Sequence, residues 1–169
     1  INAARTPGAV ALSFGGGRVS YAELNESACR LANGLAASGI GRGERVAALL
    51  HNCPEFFVAL FAAAKIGAVF VPINFRLTAR EIGLILDASA PKALMIGQGF
   101  AEVSATLAGS PSWPAHVIEV DDRPSSRADA AGGDVFARWL SAQDPSEPDL
   151  FIGDDEVLML MHTSGTTGL

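Results

Sequence analysis

The chain has 169 residues, a mass of 17.5 kDa, 49% hydrophobic and 18% charged residues. This is the size of one domain, rich enough to bury a core and too apolar for a disordered chain. A net charge of −6 and a pI of about 4.9 argue against nucleic acid as the main partner.

The negative charge is local. Eleven acidic residues and three arginines fall between Glu119 and Glu156, while the remainder of the chain is net +2. This describes a solvated surface stretch, not a field over the whole protein. The chain begins at Ile1 and stops in a glycine-rich loop, which reads as part of a larger protein about three times as long.

In chain order, Ala9 to Phe14 alternates weakly and predicts a strand. Gly15-Gly16-Gly17 predicts a hairpin turn and Arg18-Val19-Ser20 the returning strand. These glycines lack the spacing and the following helix of a phosphate loop. Ser20-Tyr21-Ala22-Glu23 is a capping box opening a helix, with Tyr21, Leu24, Ala28, Leu31 and Leu35 on one face. Gly39 or Gly41 ends it. Arg45 to Leu50 is a continuous apolar run, as expected of a strand buried on both faces.

The apolar stretch from Phe56 to Ile73 is long enough to span a bilayer. Lys65 at its middle would cost at least ~2.5 kcal/mol on insertion scales. It divides better into a helix over 54–66 and a buried strand over 68–71. Thr78-Ala79-Arg80-Glu81 is a second capping box, whose helix puts Ile82, Ile85 and Leu86 on one face and ends before Pro91. Strands are predicted over 92–96 and 116–120, a helix over 100–107, a polar loop over 121–133 and a short helix over 135–140. Residues 144–155 carry two prolines and read as a linker, and 156–161 as a final buried strand. The alternation predicts an α/β fold, a mostly parallel sheet with helices on both faces and an N-terminal β-hairpin.

In such sheets, ligands bind beyond the carboxyl ends of the strands. The last strand delivers Thr163, Ser164, Gly165, Thr166, Thr167 and Gly168 to that place. Two glycines let backbone N–H groups turn around an anion, and four hydroxyls add uncharged donors. The loop suits the phosphates of a nucleotide, with a plain polar turn as the alternative. It is not a P-loop, because the spacing differs and no lysine is present. Cys29 and Cys53 lie in no CxxC pattern and no metal-ligand spacing occurs; Cys29, on a helical face beside Ala28 and Leu31, is expected to be a buried free thiol, which fits a reducing cytoplasm. No signal peptide pattern opens the chain. His51 reads as a loop or capping residue and His116 as the start of a strand. Trp113 and Trp139 read as packing anchors. Arg76 either faces a ligand cleft or pairs with Glu81. His162 either touches a nucleotide or substrate, or packs half-exposed beside the loop.

Met161 to Leu169 resembles the signature loop of the adenylate-forming, AMP-binding enzymes. Val19-Ser20-Tyr21-Ala22-Glu23-Leu24, Ala32-Asn33-Gly34-Leu35, Gly43-Glu44-Arg45-Val46-Ala47 and Ala64 to Asn74 are similar to upstream segments of that family, in its order. Pro72 to Thr78 followed by Glu81 resembles the acyl- and aryl-CoA synthetase branch, rather than the amino-acid-activating peptide synthetase domains. The resemblance implies an incomplete N-terminal part of the AMP-binding domain over 1–169: an α/β scaffold over 1–143, a linker over 144–155, and a strand with the start of the phosphate loop over 156–169. It implies a fatty-acid or aromatic-acid CoA ligase that forms an acyl-adenylate from ATP with Mg2+ and then a thioester with coenzyme A. Thr163 to Gly168 would bind the β- and γ-phosphates. The catalytic and metal-binding segments of the family lie downstream, so no catalytic or metal residue is assigned and these residues alone are expected to be inactive. The alternatives are an adenylation domain for an amino acid or other carboxylate and, of another class, a truncated, non-catalytic interaction or regulatory domain. The implied partners are a small carboxylic acid, ATP and coenzyme A, with no transmembrane segment and peripheral membrane contact left open.

Overall fold

A computed structural model describes residues 2–122 and 135–162. A short helix not anticipated from the sequence, α1 (Asn2–Arg5), precedes an antiparallel hairpin of β1 (Val10–Phe14) and β2 (Gly17–Ser20). The hairpin turns on Gly15 and Gly16, both at positive φ, where a side chain would be strained. Helix α2 (Tyr21–Ala37) starts as predicted. The Glu23 backbone N–H donates to Ser20 Oγ at 3.2 Å, and the Ser20 N–H donates back to the Glu23 carboxylate at 2.8 Å.

Four strands form one parallel sheet: β3 (Arg45–Leu49), β4 (Val69–Pro72), β5 (Ala93–Gly97) and β6 (His116–Val120), in the order β4-β3-β5-β6. Helices α3 (Pro54–Lys65), α4 (Ala79–Ser89) and α5 (Ala101–Leu107) connect them. Alternate residues of each strand feed opposite faces, and so two cores form. Val46, Ala48, Phe70 and Met95 pack with Leu31 and Leu35 of α2 and Ala59 and Ala62 of α3. Ala47, Leu49, Val71, Leu94 and Ile96 pack with Ile82 and Leu86 of α4 and with Phe100. Trp113 joins this second core and Trp139 the first, as packing residues. The apolar run 56–73 divides into α3 and β4, and no helix among the described residues is long and apolar enough to cross a membrane.

The acidic C-terminal third is fastened to the first face. In α6 (Val135–Ser141), the Trp139 indole lies against Gly34, where a Cβ would come within 2.8 Å of the ring. Beyond α6 the backbone would leave its carbonyls without helical partners, and α2 supplies donors for them. Arg30 Nη1 donates to the carbonyls of Ser141 (2.9 Å) and Gln143 (2.6 Å), and Asn33 Nδ2 to those of Asp144 (2.8 Å) and Ser146 (2.9 Å). Lys65 of α3 forms an ion pair with Glu147. Farther along, Arg42 forms an ion pair with Glu156 and donates to the Phe151 carbonyl.

One predicted element takes a different form. The segment 156–161 is not a buried strand. Among the described residues it meets the sheet at the edge of β4, through Phe70 N–H to the Leu158 carbonyl and Leu160 N–H to the Phe70 carbonyl, both 2.9 Å. Val157, Leu158, Leu160 and Met161 are exposed. Among the described residues nothing pairs with its outer edge or covers both of its faces, so Met159 packs on the first core while its other apolar side chains stay largely in water.

Candidate active site at the carboxyl ends of the sheet

All four parallel strands end on the same rim of the sheet. Because β4 lies on one side of β3 and β5 on the other, the topological switch point falls between β3 and β5, where open α/β sheets place a crevice. The edge segment runs parallel to β4, so it delivers His162 to this rim as well. By strand spacing of ~4.8 Å, that segment lies about 10 Å from β3.

The predicted phosphate-binding residues Thr163, Ser164, Gly165, Thr166, Thr167 and Gly168 lie outside the described residues. His162 is exposed at the last described position. Arg76 does not pair with Glu81, contrary to one of its two sequence readings. Glu81 is already engaged: its carboxylate accepts the backbone N–H of Thr78 at 2.8 Å and the Thr78 hydroxyl at 2.7 Å. These same bonds hold its carboxyl below the ordinary glutamate range. The Arg76 guanidinium instead lies over the Phe75 ring, 5.6 Å from its centroid, just beyond β4 on the ligand side of the sheet.

At the switch point stands a group that sequence reasoning had assigned to a loop or cap. His51 follows β3, and its ring Nδ1 lies 2.7 Å from Oδ2 of Asp122, which follows β6. The same oxygen accepts the His51 backbone N–H at 2.8 Å. The Asp122 side chain is 0% exposed and the His51 side chain 44% exposed, so the pair runs from the interior to the rim. Asp122 Oδ1 is buried and, among the described residues, has no hydrogen-bond partner. Phe100 stacks on the imidazole at 4.7 Å and Phe75 tilts against it at 5.1 Å. Space for the carboxylate comes from Gly97, the last residue of β5, where any Cβ would collide with it. At Gly99 a Cβ would come within 3.0 Å of the imidazole. The sequence signal was weak, because the partners are 71 residues apart and no local pattern links them.

Both cysteines are buried and free. Burial pushes the Cys53 thiol up to about 12, and burial with a hydrogen bond to Glu147 raises that of Cys29. Both thiols therefore stay protonated near neutrality and neither is an activated nucleophile. Among the described residues no cluster of three or more His, Cys, Asp or Glu could hold a metal ion.

The profile of the AMP-binding enzyme family matches residues 1–169. A feruloyl-CoA synthase from Amycolatopsis sp. is 40% identical over 96% of this chain and 29% of its own length. The long-chain-fatty-acid–CoA ligase FadD13 of Mycobacterium tuberculosis is 39% identical over 89% of this chain and 28% of its own. The chain therefore spans less than a third of the length of these relatives. Among solved structures, the inhibitor-bound N-terminal domain of FACL13 from M. tuberculosis superposes with a TM-score of 0.85 at 35% identity, covering 99% of this chain and 40% of that one.

Proposed function

The chain belongs to the AMP-binding enzyme family, in its acyl-CoA ligase branch, and from that premise we propose that the whole protein activates a fatty or aromatic carboxylic acid as its CoA thioester. In the first step a carboxylate oxygen attacks the α-phosphate of ATP, and pyrophosphate leaves. In the second, the thiol of coenzyme A attacks the acyl carbon, and AMP leaves. Charge builds on phosphoryl oxygens in the first step, so positioning and electrostatic stabilisation supply most of the catalysis. Thr163, Ser164, Gly165, Thr166, Thr167 and Gly168 are the proposed donors to the β- and γ-phosphates, and Mg2+ enters with ATP as part of the substrate. The observation that carries this reading is the family match over the whole chain, joined to a segment, 158–160, that runs along β4 toward the carboxyl rim.

Relatives named for ferulate, long-chain fatty acids and 3- or 4-hydroxybenzoate support an acid with a hydrophobic body over an amino acid. Residues 1–143 act as scaffold, 144–155 as the connection to the phosphate-loop strand, and these 169 residues alone as an inactive part of the large domain. Two free thiols fit a cytoplasmic protein. The test is acid-dependent pyrophosphate release by the whole protein with ATP, across long-chain, short-chain and aryl acids. Release with at least one class, followed by thioester on adding coenzyme A, is expected. No release with any acid would overturn the reading.

A further inference from the structure

We propose that His51 is the proton acceptor for the coenzyme A thiol in the second step, and that Asp122 is the residue that positions it. This rests on the proposed ligase function. Of the two steps, only the second has a nucleophile that must lose a proton. The carboxylate enters the first step ionised. In the second, the acyl-adenylate and the thiol become thioester, AMP and one proton: the C–S bond forms, the C–O bond to the phosphate breaks, and the thiol proton has to leave sulfur.

The His51–Asp122 geometry is suited to receive that proton. Asp122 Oδ2 accepts the backbone N–H of His51, so it is an acceptor toward the ring too, which places the imidazole proton on Nδ1. Nε2 is left with its lone pair and, among the described residues, with no hydrogen-bond partner. The ring is fixed by Phe100 and Phe75, so Nε2 holds one direction at the rim. The buried Oδ1 of Asp122, without a hydrogen-bond partner among the described residues, is a second sign. An orphan oxygen of a buried carboxylate is costly, and positive charge arriving on the ring offsets that cost. That is the charge Nε2 acquires when it takes a proton. Gly97 and Gly99, which leave room for the carboxylate and the ring, show that β5 and the turn after it are shaped around the pair.

Among the described residues, the charged and titratable groups around the ring are few. Asp122 lies beneath it and Asp121 precedes Asp122. Cys53 and Glu55 follow on its own turn, and Arg76 lies across Phe75. The β5 side contributes Gly97, Gln98, Gly99 and Phe100, none of which titrates. Cys53, pushed up to about 12, adds no charge in the working range.

The experiment measures the two half-reactions separately in the whole protein, with ATP–pyrophosphate exchange for the first and transfer from the acyl-adenylate to coenzyme A for the second. In His51→Gln, exchange should stay within threefold of the parent, while transfer at pH 7 falls about 100-fold. The deficit should narrow as the pH approaches about 8.5, where the thiol ionises unaided. Asp122→Asn keeps the shape of the pair and is read the same way, so a folding defect in one variant does not stand for both. It should slow transfer at least tenfold and abolish the downfield proton resonance of the His51 ring. Transfer within threefold of the parent in both variants would overturn the proposal, as would an equal fall of both half-reactions or a deficit that does not change with pH. If the unsubstituted protein shows no exchange with any acid, the ligase reading itself fails, and this inference with it.

Discussion

The segments 45–49 and 156–161 look alike in sequence and end in opposite environments. Both are short continuous apolar runs, the pattern of a strand buried on both faces. In β3, Val46, Ala47, Ala48 and Leu49 are each 0% exposed. In the second segment Val157 is 62% and Met161 68% exposed. The difference lies outside either run. β3 is flanked by β4 and β5 and covered by helices on both faces, whereas 156–161, among the described residues, pairs with one strand through two backbone hydrogen bonds. A continuous apolar pattern states what a strand requires of its surroundings, and only the neighbours determine whether that requirement is met.

The largest effect that tests this contrast is at Phe70, where the two regions join. Its ring is 0% exposed and meets Phe56 of α3 edge-on at 5.2 Å, while its backbone holds the edge segment. Phe70→Ala should cost about 3–5 kcal/mol in urea unfolding, through lost burial and the cavity left behind. The backbone bonds to Leu158 and Leu160 survive the substitution in principle, so their loss should follow from unfolding of β4 rather than precede it. A cost under 1 kcal/mol would mean that β4 is no better packed than the segment beside it.

Much of the fold was legible because its signals are local. Both capping boxes, at Ser20 and Thr78, form as read, and the strand and helix boundaries fall within a residue or two of those predicted. Family membership was legible for a related reason, since the motifs that carry it are short and contiguous. What escaped was non-local. The edge position of 156–161 depends on sheet order, which no single segment encodes. The His51–Asp122 pair joins the ends of β3 and β6, two strands separated by β5. A pair with Glu81 was one of two readings of Arg76, and it does not form because the Thr78 cap offers Glu81 two donors at once. The fastening of 141–147 was equally hidden, because Arg30 and Asn33 look like ordinary surface residues of α2 until the strap lies over them.

A smaller effect separates the strap from the segment it leads to. The Lys65 ion pair, with help from Cys29 and Asn25, holds the Glu147 carboxyl below the ordinary glutamate value, against the opposing effect of burial. A carboxyl lowered on folding stabilises the folded form above its unfolded pKa of about 4.5 and loses that contribution as the pH falls through the folded value. The strap should therefore loosen in acid, at pH values below the ordinary glutamate range, while the central sheet persists. The Glu147 side chain is 63% exposed, so the contribution is under about 1 kcal/mol. Hydrogen exchange at the amides of 142–150, followed from pH 6 down to pH 3 and corrected for the intrinsic pH dependence of exchange, reads it. Loss of protection in β3 at the same pH as in the strap would show that the two are one cooperative unit.

The smallest expected effect is at Val157, and it is the sharpest test of the contrast. Val46→Ser in β3 would bury an unpaired hydroxyl and lose apolar contacts. Val157→Ser changes a side chain already 62% exposed, with little buried area to forfeit. In the 169-residue chain its unfolding free energy should move by less than about 0.5 kcal/mol. Burying a valine fully contributes roughly 1.5 kcal/mol or more. A loss of that size at Val157 would therefore mean that another surface covers the segment in solution, and the measurement has a concentration dependence that identifies it. A loss that grows with protein concentration indicates a second copy paired along the open edge. A loss independent of concentration indicates that the chain's own residues fold over it.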